Sequence, residues 1–241
     1  MRLVTRIAVN TSCGLALVAL AACGSPAAES GPFADLSGAE VANKALTATK
    51  KAKSLRVSLD MTTEDGPVKA DFSSNTSGEC TGTLSMGAGG SVDIIKTGDV
   101  VYTKLDEALL RQEAKGEPKE EVDAVVKMLA GRWMESKASE PDTKDMIEFC
   151  DVKGLLKDLE ANDSEASKAG ETKIGGKAAL RLTEKDGKET HTLVVAAEGD
   201  PYILRLASKG GKEPMTMDLS EFNEPVSAKK PAAKDIVDLG Q

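Results

Sequence analysis

The sequence predicts an α+β domain built on one antiparallel sheet, and three observations carry that expectation. Apolar and polar residues alternate at period two from residue 54 onward, short Gly- and Asp-bearing turns separate the alternating runs, and helical spacing is confined to the front and middle of the chain. Such alternation gives each strand one apolar and one wet face, as an antiparallel sheet covered on one side requires.

The first element is a leader. Arg2 and Arg6 precede residues 7–22, which are apolar or small apart from Asn10, Thr11 and Ser12. That run is too short to span a bilayer as a folded helix, and with no arginine pair it reads as a signal peptide of the general secretory route. L-A-A-C-G-S-P at 20–26 resembles the bacterial lipobox, in which Cys23 would receive a diacylglyceryl thioether and become the new N-terminus. The alternative is an ordinary signal peptide that leaves Cys23 as a free thiol. The expected organisation is a leader at 1–22, a lipidated Pro/Gly/Ser tether at 23–32 and a single domain at 33–241.

The domain opens with a helix. Ser37 and Glu40 have the spacing of a capping box, and Val41, Ala45, Ala48 and Ala52 fall on one face. Lys50, Lys51 and Lys53 suit its C-terminal end as a solvated face; a membrane or phosphate patch is the sharper alternative. Leu55, Val57, Leu59 and Met61 then alternate with polar residues, D-G-P at 65–67 turns the chain, and Val68, Ala70 and Phe72 alternate back. Further runs stand at 79–86, 91–96 and 100–104. Leu105, Ala108 and Leu109 begin a helical region, Pro118 opens a second helix with Val122, Val125, Val126 and Leu129 inward, and R-W-M-E-S follows as a short connection. Residues 142–160, with Met146, Phe149, Cys150, Leu155, Leu156 and Leu159, read as a third helix. Strand runs resume around Leu180, His191–Leu193–Val195, Leu204–Leu206 and Met215–Met217–Leu219, for about eight or nine strands in all, and D-I-V-D-L at 235–239 reads as a short docked segment.

Composition narrows the function. Cleavage of the leader removes two arginines from a chain already at −8, and no Lys/Arg stripe is interleaved with aromatics, so nothing invites nucleic acid. Aromatics make up only 3%, so the interior is Leu, Val, Ile, Met and Ala. Of four cysteines, one leaves with the leader and Cys23 takes the lipid. Cys80 and Cys150 remain, both in phase with apolar neighbours, and in an oxidising compartment they pair or stand as two buried thiols. Two thiols and the single His191 make a poor metal set, and no cofactor is expected. His191 alternates with Leu193 and Val195 as a core or edge group, G-A-G-G at 87–90 reads as a turn, and no nucleophile elbow or H-E-x-x-H is present. Asp99 and Asp106 are an acidic pair of unknown spacing. An enzyme is not expected.

The order of these pieces resembles the LolA-like envelope lipoproteins, in particular the actinobacterial LppX/LprG-type group. The likeness runs through the lipobox at Cys23, the early helix, G-D-V-V-Y-T-K (98–104), Arg132-Trp133, T-K-I-G-G-K-A-A-L (172–180), D-P-Y-I-L-R (200–205), M-D-L-S-E-F-N-E-P (217–225) and D-I-V-D-L. Each stretch is turn and strand punctuation, and their order over the mature chain carries the resemblance. It implies a strongly curved antiparallel half-barrel with helices on its concave face and an apolar cavity between them for acyl chains. The inward residues Leu55, Val57, Leu59, Met61, Phe72, Leu84, Met86, Leu193, Val195, Leu204, Met215 and Met217 would then line it; from alternation alone each serves equally as plain core. Methionine suits variable chains because it is flexible and polarisable. A Cys80–Cys150 bridge is not part of the family's core pattern and would pin a cavity-side helix. The expected function is a membrane-anchored, monomeric carrier on the extracytoplasmic face that binds and transfers or presents an acylated lipid or lipoglycan. The alternative is an envelope interaction or sensor module with a closed core.

Overall fold

Ser37 starts the first helix as the sequence predicts. In α1 (Gly38–Thr49) the Glu40 amide donates to Ser37 Oγ at 3.2 Å, and the Ser37 amide donates to Glu40 Oε2 at 2.7 Å. Hydrogen bonds from the Ser37 amide and hydroxyl hold the Glu40 carboxyl below its ordinary value. Val41, Ala42 and Ala45 are buried, and buried Thr49 accepts from the Ile203 amide at 2.9 Å while donating to the Ala45 carbonyl. The computed structural model describes residues 31–157 and 165–237. The leader, Cys23, the tether up to Ser30, Leu159 and the end of D-I-V-D-L lie outside the described residues.

Residues from Gly31 onward form a unit around one sheet of eleven strands. They are β1 (Ser54–Thr63), β2 (Gly66–Asn75), β3 (Cys80–Met86), β4 (Ser91–Thr97), β5 (Val100–Leu105), β6 (Trp133–Lys137), β7 (Ser167–Ile174), β8 (Lys177–Asp186), β9 (Glu189–Ala196), β10 (Ile203–Lys209) and β11 (Met215–Ser220). The spatial order is β6-β5-β4-β3-β2-β1-β11-β10-β9-β8-β7, and every pairing is antiparallel. Two meanders are thus sewn together at the centre by β1 and β11. The sheet is open and curled.

Two strands, β6 and β7, lie outside the expected runs, and both are edges. A strand with one partner needs little apolar patterning, so β6 and the polar β7 carry almost no period-two signal. At the β6 edge the C-terminal tail adds a parallel bridge, Trp133 to Ile236, and the Val237 amide donates to the Trp133 carbonyl at 2.7 Å. β7 is bent by a bulge between Lys168 and Glu171.

α2 (Glu107–Glu113) and α3 (Lys119–Leu129) stand between β5 and β6. Asp106, set beside Asp99 as an acidic pair in the sequence, caps α2: its Oδ1 accepts from the Leu109 amide at 2.8 Å and its Oδ2 from Ser91. A side chain on Gly90 would strike the Leu109 amide, so this docking needs glycine, at φ +96°. Of the α3 face expected inward, only Val126 is buried. The single helix expected at 142–160 is broken instead into α4 (Pro141–Met146), a 3-10 turn at Glu148–Cys150 and α5 (Val152–Lys157). The break turns Phe149 and Cys150 onto the sheet.

Two apolar clusters fill the inner face. One joins α1 and α5 to the sheet through Phe33, Val41, Val152, Leu156, Leu55 and Val57; the other joins Cys150 to Leu59, Phe72, Cys80, Val92 and Ile94. Across β1–β5 and β10–β11 the outer face carries polar pairs. Arg56 grips Asp71 at 2.8 and 2.9 Å, Ser58 donates to the same carboxylate, Arg205 pairs with Asp218, and Lys104 pairs with Asp93 at 2.9 Å while lying over Trp133.

Candidate functional site

The inner face is organised in rows of cross-strand partners. At the rim, Met86, Val68, Met61 and Met215 are successive neighbours on β3, β2, β1 and β11. One step inward, a second row runs from Leu105 through Val92, Leu84 and Ala70 to Leu59, and onward through Met217, Leu206 and Leu193 to Leu182. It crosses from β5 to β8 without a polar side chain. Deeper still lie Val57, Phe72 and Leu219.

Burial changes from row to row. Leu55, Val57, Leu59, Phe72 and Val195 are buried. Met61, Leu84, Leu193, Met215 and Met217 point to the same side, yet are only half-buried, and Met86 at the rim is 41% exposed. Met146, Ile147 and Phe149, opposite them on the middle segment, are half-buried as well. Apolar side chains of the sheet and of the middle segment therefore pack against the same cluster while each keeps part of its surface exposed. Each 100 Å² of it that an apolar guest removes from water is worth about 2.5 kcal/mol.

Leu204 does not belong to this set. Its alternation with Leu206 placed it inward, but a bulge between Ile203 and Arg205 adds one residue to β10. Ile203 takes the inner position, and Leu204 packs with Ala179, Val194 and Ala196 in a separate cluster, on the face that carries the Arg205–Asp218 pair.

The floor is held by aromatic and sulfur contacts. Phe149 stacks on Phe72 with centroids 5.7 Å apart. Gly82, the cross-strand partner of Phe72, is required here, because a Cβ would run into the Phe72 ring. The structure joins Cys80 on β3 to Cys150 in the 3-10 turn, with Cα atoms 5.4 Å apart. Beside it, Ser74 Oγ is buried and, among the described residues, has no hydrogen-bond partner.

His191 extends the rim row on the same face, across β10 from Met215 through Ser208, and is half exposed, with Glu189 at 3.7 Å. Lys50, Lys51 and Lys53 are exposed, and the Lys50 ammonium donates to the Lys157 carbonyl at 3.4 Å. Among the described residues no three or more His, Cys, Asp or Glu side chains gather as a metal site, and no helix is long and apolar enough to cross a membrane.

No family model matches the sequence, and no curated protein is similar to it. Solved structures are similar. LprF from Mycobacterium bovis is 15% identical, with 81% of this chain and 97% of that one covered at a TM-score of 0.54. The lipoprotein LppX from Mycobacterium tuberculosis is 16% identical, with 79% and 97% covered at 0.49. At such identities a likeness speaks for the fold alone. The chain folds as LprF does, into an open curled antiparallel sheet with helices on its inner face, the architecture implied by the resemblance to the LolA-like lipoproteins.

Proposed function

We propose that this protein is a lipid-anchored envelope protein that holds the acyl chains of a lipid or lipoglycan against the inner face of its sheet, without catalysing a covalent step. One observation carries the reading: an unbroken apolar row crosses from β5 to β8, and its central members Leu84, Met217 and Leu193 are left half-buried under the middle helices. A closed core would cover them. Four methionines, Met61, Met86, Met215 and Met217, stand where a guest would slide in, and unbranched thioether chains adapt to guests of different length. Head groups would stay at the wet rim. Anchoring would rest on Cys23, with the domain working as a monomer on the extracytoplasmic face of the cell membrane and transferring or presenting its lipid there.

The test is native mass spectrometry with lipid extraction on the full chain carrying Cys23→Ala, which has no anchor of its own. A stoichiometric acylated lipid that co-purifies supports the reading. Protein free of lipid, and unresponsive to added acyl chains, sinks it in favour of a closed interaction module. Membrane fractionation of the wild type against the same variant checks the anchor.

A further inference from the structure

We infer that Cys150 Sγ is the entry point for thiol–disulfide exchange, and that opening the Cys80–Cys150 bridge releases the α4–α5 segment from the inner face of the sheet.

The two sulfurs differ in access. Cys80 is 0% exposed beneath the segment, whereas Cys150, 5% exposed, borders a hollow of about 500 Å³ whose wall includes Asn75, Thr76 and Gly78 of the sheet side and Ile147 of the segment. Lys96, Lys144 and Lys153 bring three positive charges to that hollow against the two negative ones of Glu148 and Asp151. An incoming thiolate thus meets Cys150 first, in a positive field.

Ser74 points to which sulfur leaves. It is the direct cross-strand partner of Cys80, and among the described residues its buried hydroxyl has no partner while the bridge is closed. Side chains so paired have Cβ atoms about 5 Å apart. A Cys80 thiolate released beside it would accept the hydrogen bond that the hydroxyl lacks, offsetting the cost of leaving that group unmet.

The co-reactant is a dithiol reductant. Its thiolate attacks Cys150 Sγ; a mixed disulfide forms, the Cys80–Cys150 S–S bond breaks, and Cys80 departs as a thiolate and takes a proton. The second thiol of the reductant then attacks the reductant's own sulfur in the mixed disulfide, freeing Cys150, which is protonated. The reductant ends as a disulfide, and two electrons and two protons pass to the cysteines.

Release follows from how the segment is held. α4 and α5 have six residues each, too few to persist as helices without tertiary support. The bridge, the Phe149–Phe72 stack and the burial of Val152 and Leu156 provide that support. With the bridge open the turn carrying Phe149 is free to lift, uncovering Leu84 and Met217. This last consequence rests on the acyl-chain reading; the exchange itself does not.

The experiment uses the oxidised full chain in two arms. In the first, glutathione exchange is stopped with acid, free thiols are alkylated with N-ethylmaleimide, and peptides are mapped. Glutathione on Cys150 with the alkyl group on Cys80 is expected, and Ser74→Ala should lower its yield several-fold. Adducts mainly on Cys80, or exchange only in denaturant, overturn the entry point. In the second, hydrogen exchange and cis-parinaric acid binding are followed before and after dithiothreitol. Exchange in 141–157 should rise at least about tenfold with the sheet still protected, since a bridge of this span stabilises what it ties down by several factors of ten. Unchanged exchange there, or global unfolding, overturns the release. If exchange rises but the probe binds in neither state, the release stands and the acyl-chain reading fails. If the probe binds equally in both states with exchange unchanged, the reverse holds.

Discussion

Ser74 shows how a single atom separates stability from other roles. A buried hydroxyl without a partner has given up its hydration with nothing in return, so Ser74→Ala should raise the stability of the oxidised protein by about 1 kcal/mol. Urea unfolding of both proteins reads this directly, and a loss of stability would mean that the hydroxyl is satisfied. Gly82 makes the opposite point. Gly82→Ala must push the Phe72 ring aside, and with it the stack on Phe149, so it should destabilise the fold by about 1–3 kcal/mol, the usual cost of overpacking. The glycine was visible in the sequence, but its reason was not: only the register of β2 against β3 sets it under an aromatic ring.

Between strands, the polar pairs of the outer face make stability depend on pH. Burial pushes the Asp71 carboxyl up, but the hydrogen bonds from Arg56 and Ser58 outweigh it, so the group titrates below its ordinary value. A carboxylate whose folded value is depressed adds stability above its unfolded value and loses it as the pH falls through the folded one. Asp71→Asn should therefore be less stable than the wild type at neutral pH and converge with it in acid, as thermal melts across pH will show; a difference that persists at low pH would rule out the ionic origin. The partners are more than a third exposed, so solvent screening keeps the neutral-pH gap small. At the helix level, Ser37→Ala removes a cap and should cost about 1 kcal/mol.

For the whole molecule, the partly exposed apolar row of the inner face is the feature that matters. Leu84→Asp or Met217→Asp would set a charge in the middle of the apolar row, and either should abolish retention of an acyl probe while changing the melting temperature far less than Phe72→Ala, whose side chain is fully buried. Equal loss of stability and binding in all three would mean that the row is ordinary core. The Cys80–Cys150 bridge spans 70 residues, which the chain-entropy account converts to about 4 kcal/mol. That contribution ties the short-helix segment to the inner face of the sheet.

The sequence by itself determined the class of the domain, the capped first helix, the central strands and which side of each faced inward, because alternation and capping are local patterns that survive without a partner in view. It also placed both cysteines on apolar sides, which favoured a pair over two free thiols. Tertiary structure decided the rest. The edge strands β6 and β7 exist because a neighbour supplies their hydrogen bonds, and Leu204 changes faces because a bulge shifts the period. The helix expected at 142–160 breaks where Phe149 finds Phe72 and Cys150 finds Cys80. Above all, alternation marks which residues turn inward but not how much material covers them. Whether Leu84 and Met217 are core or lining depends on the distance between sheet and helices, and no local pattern encodes that distance.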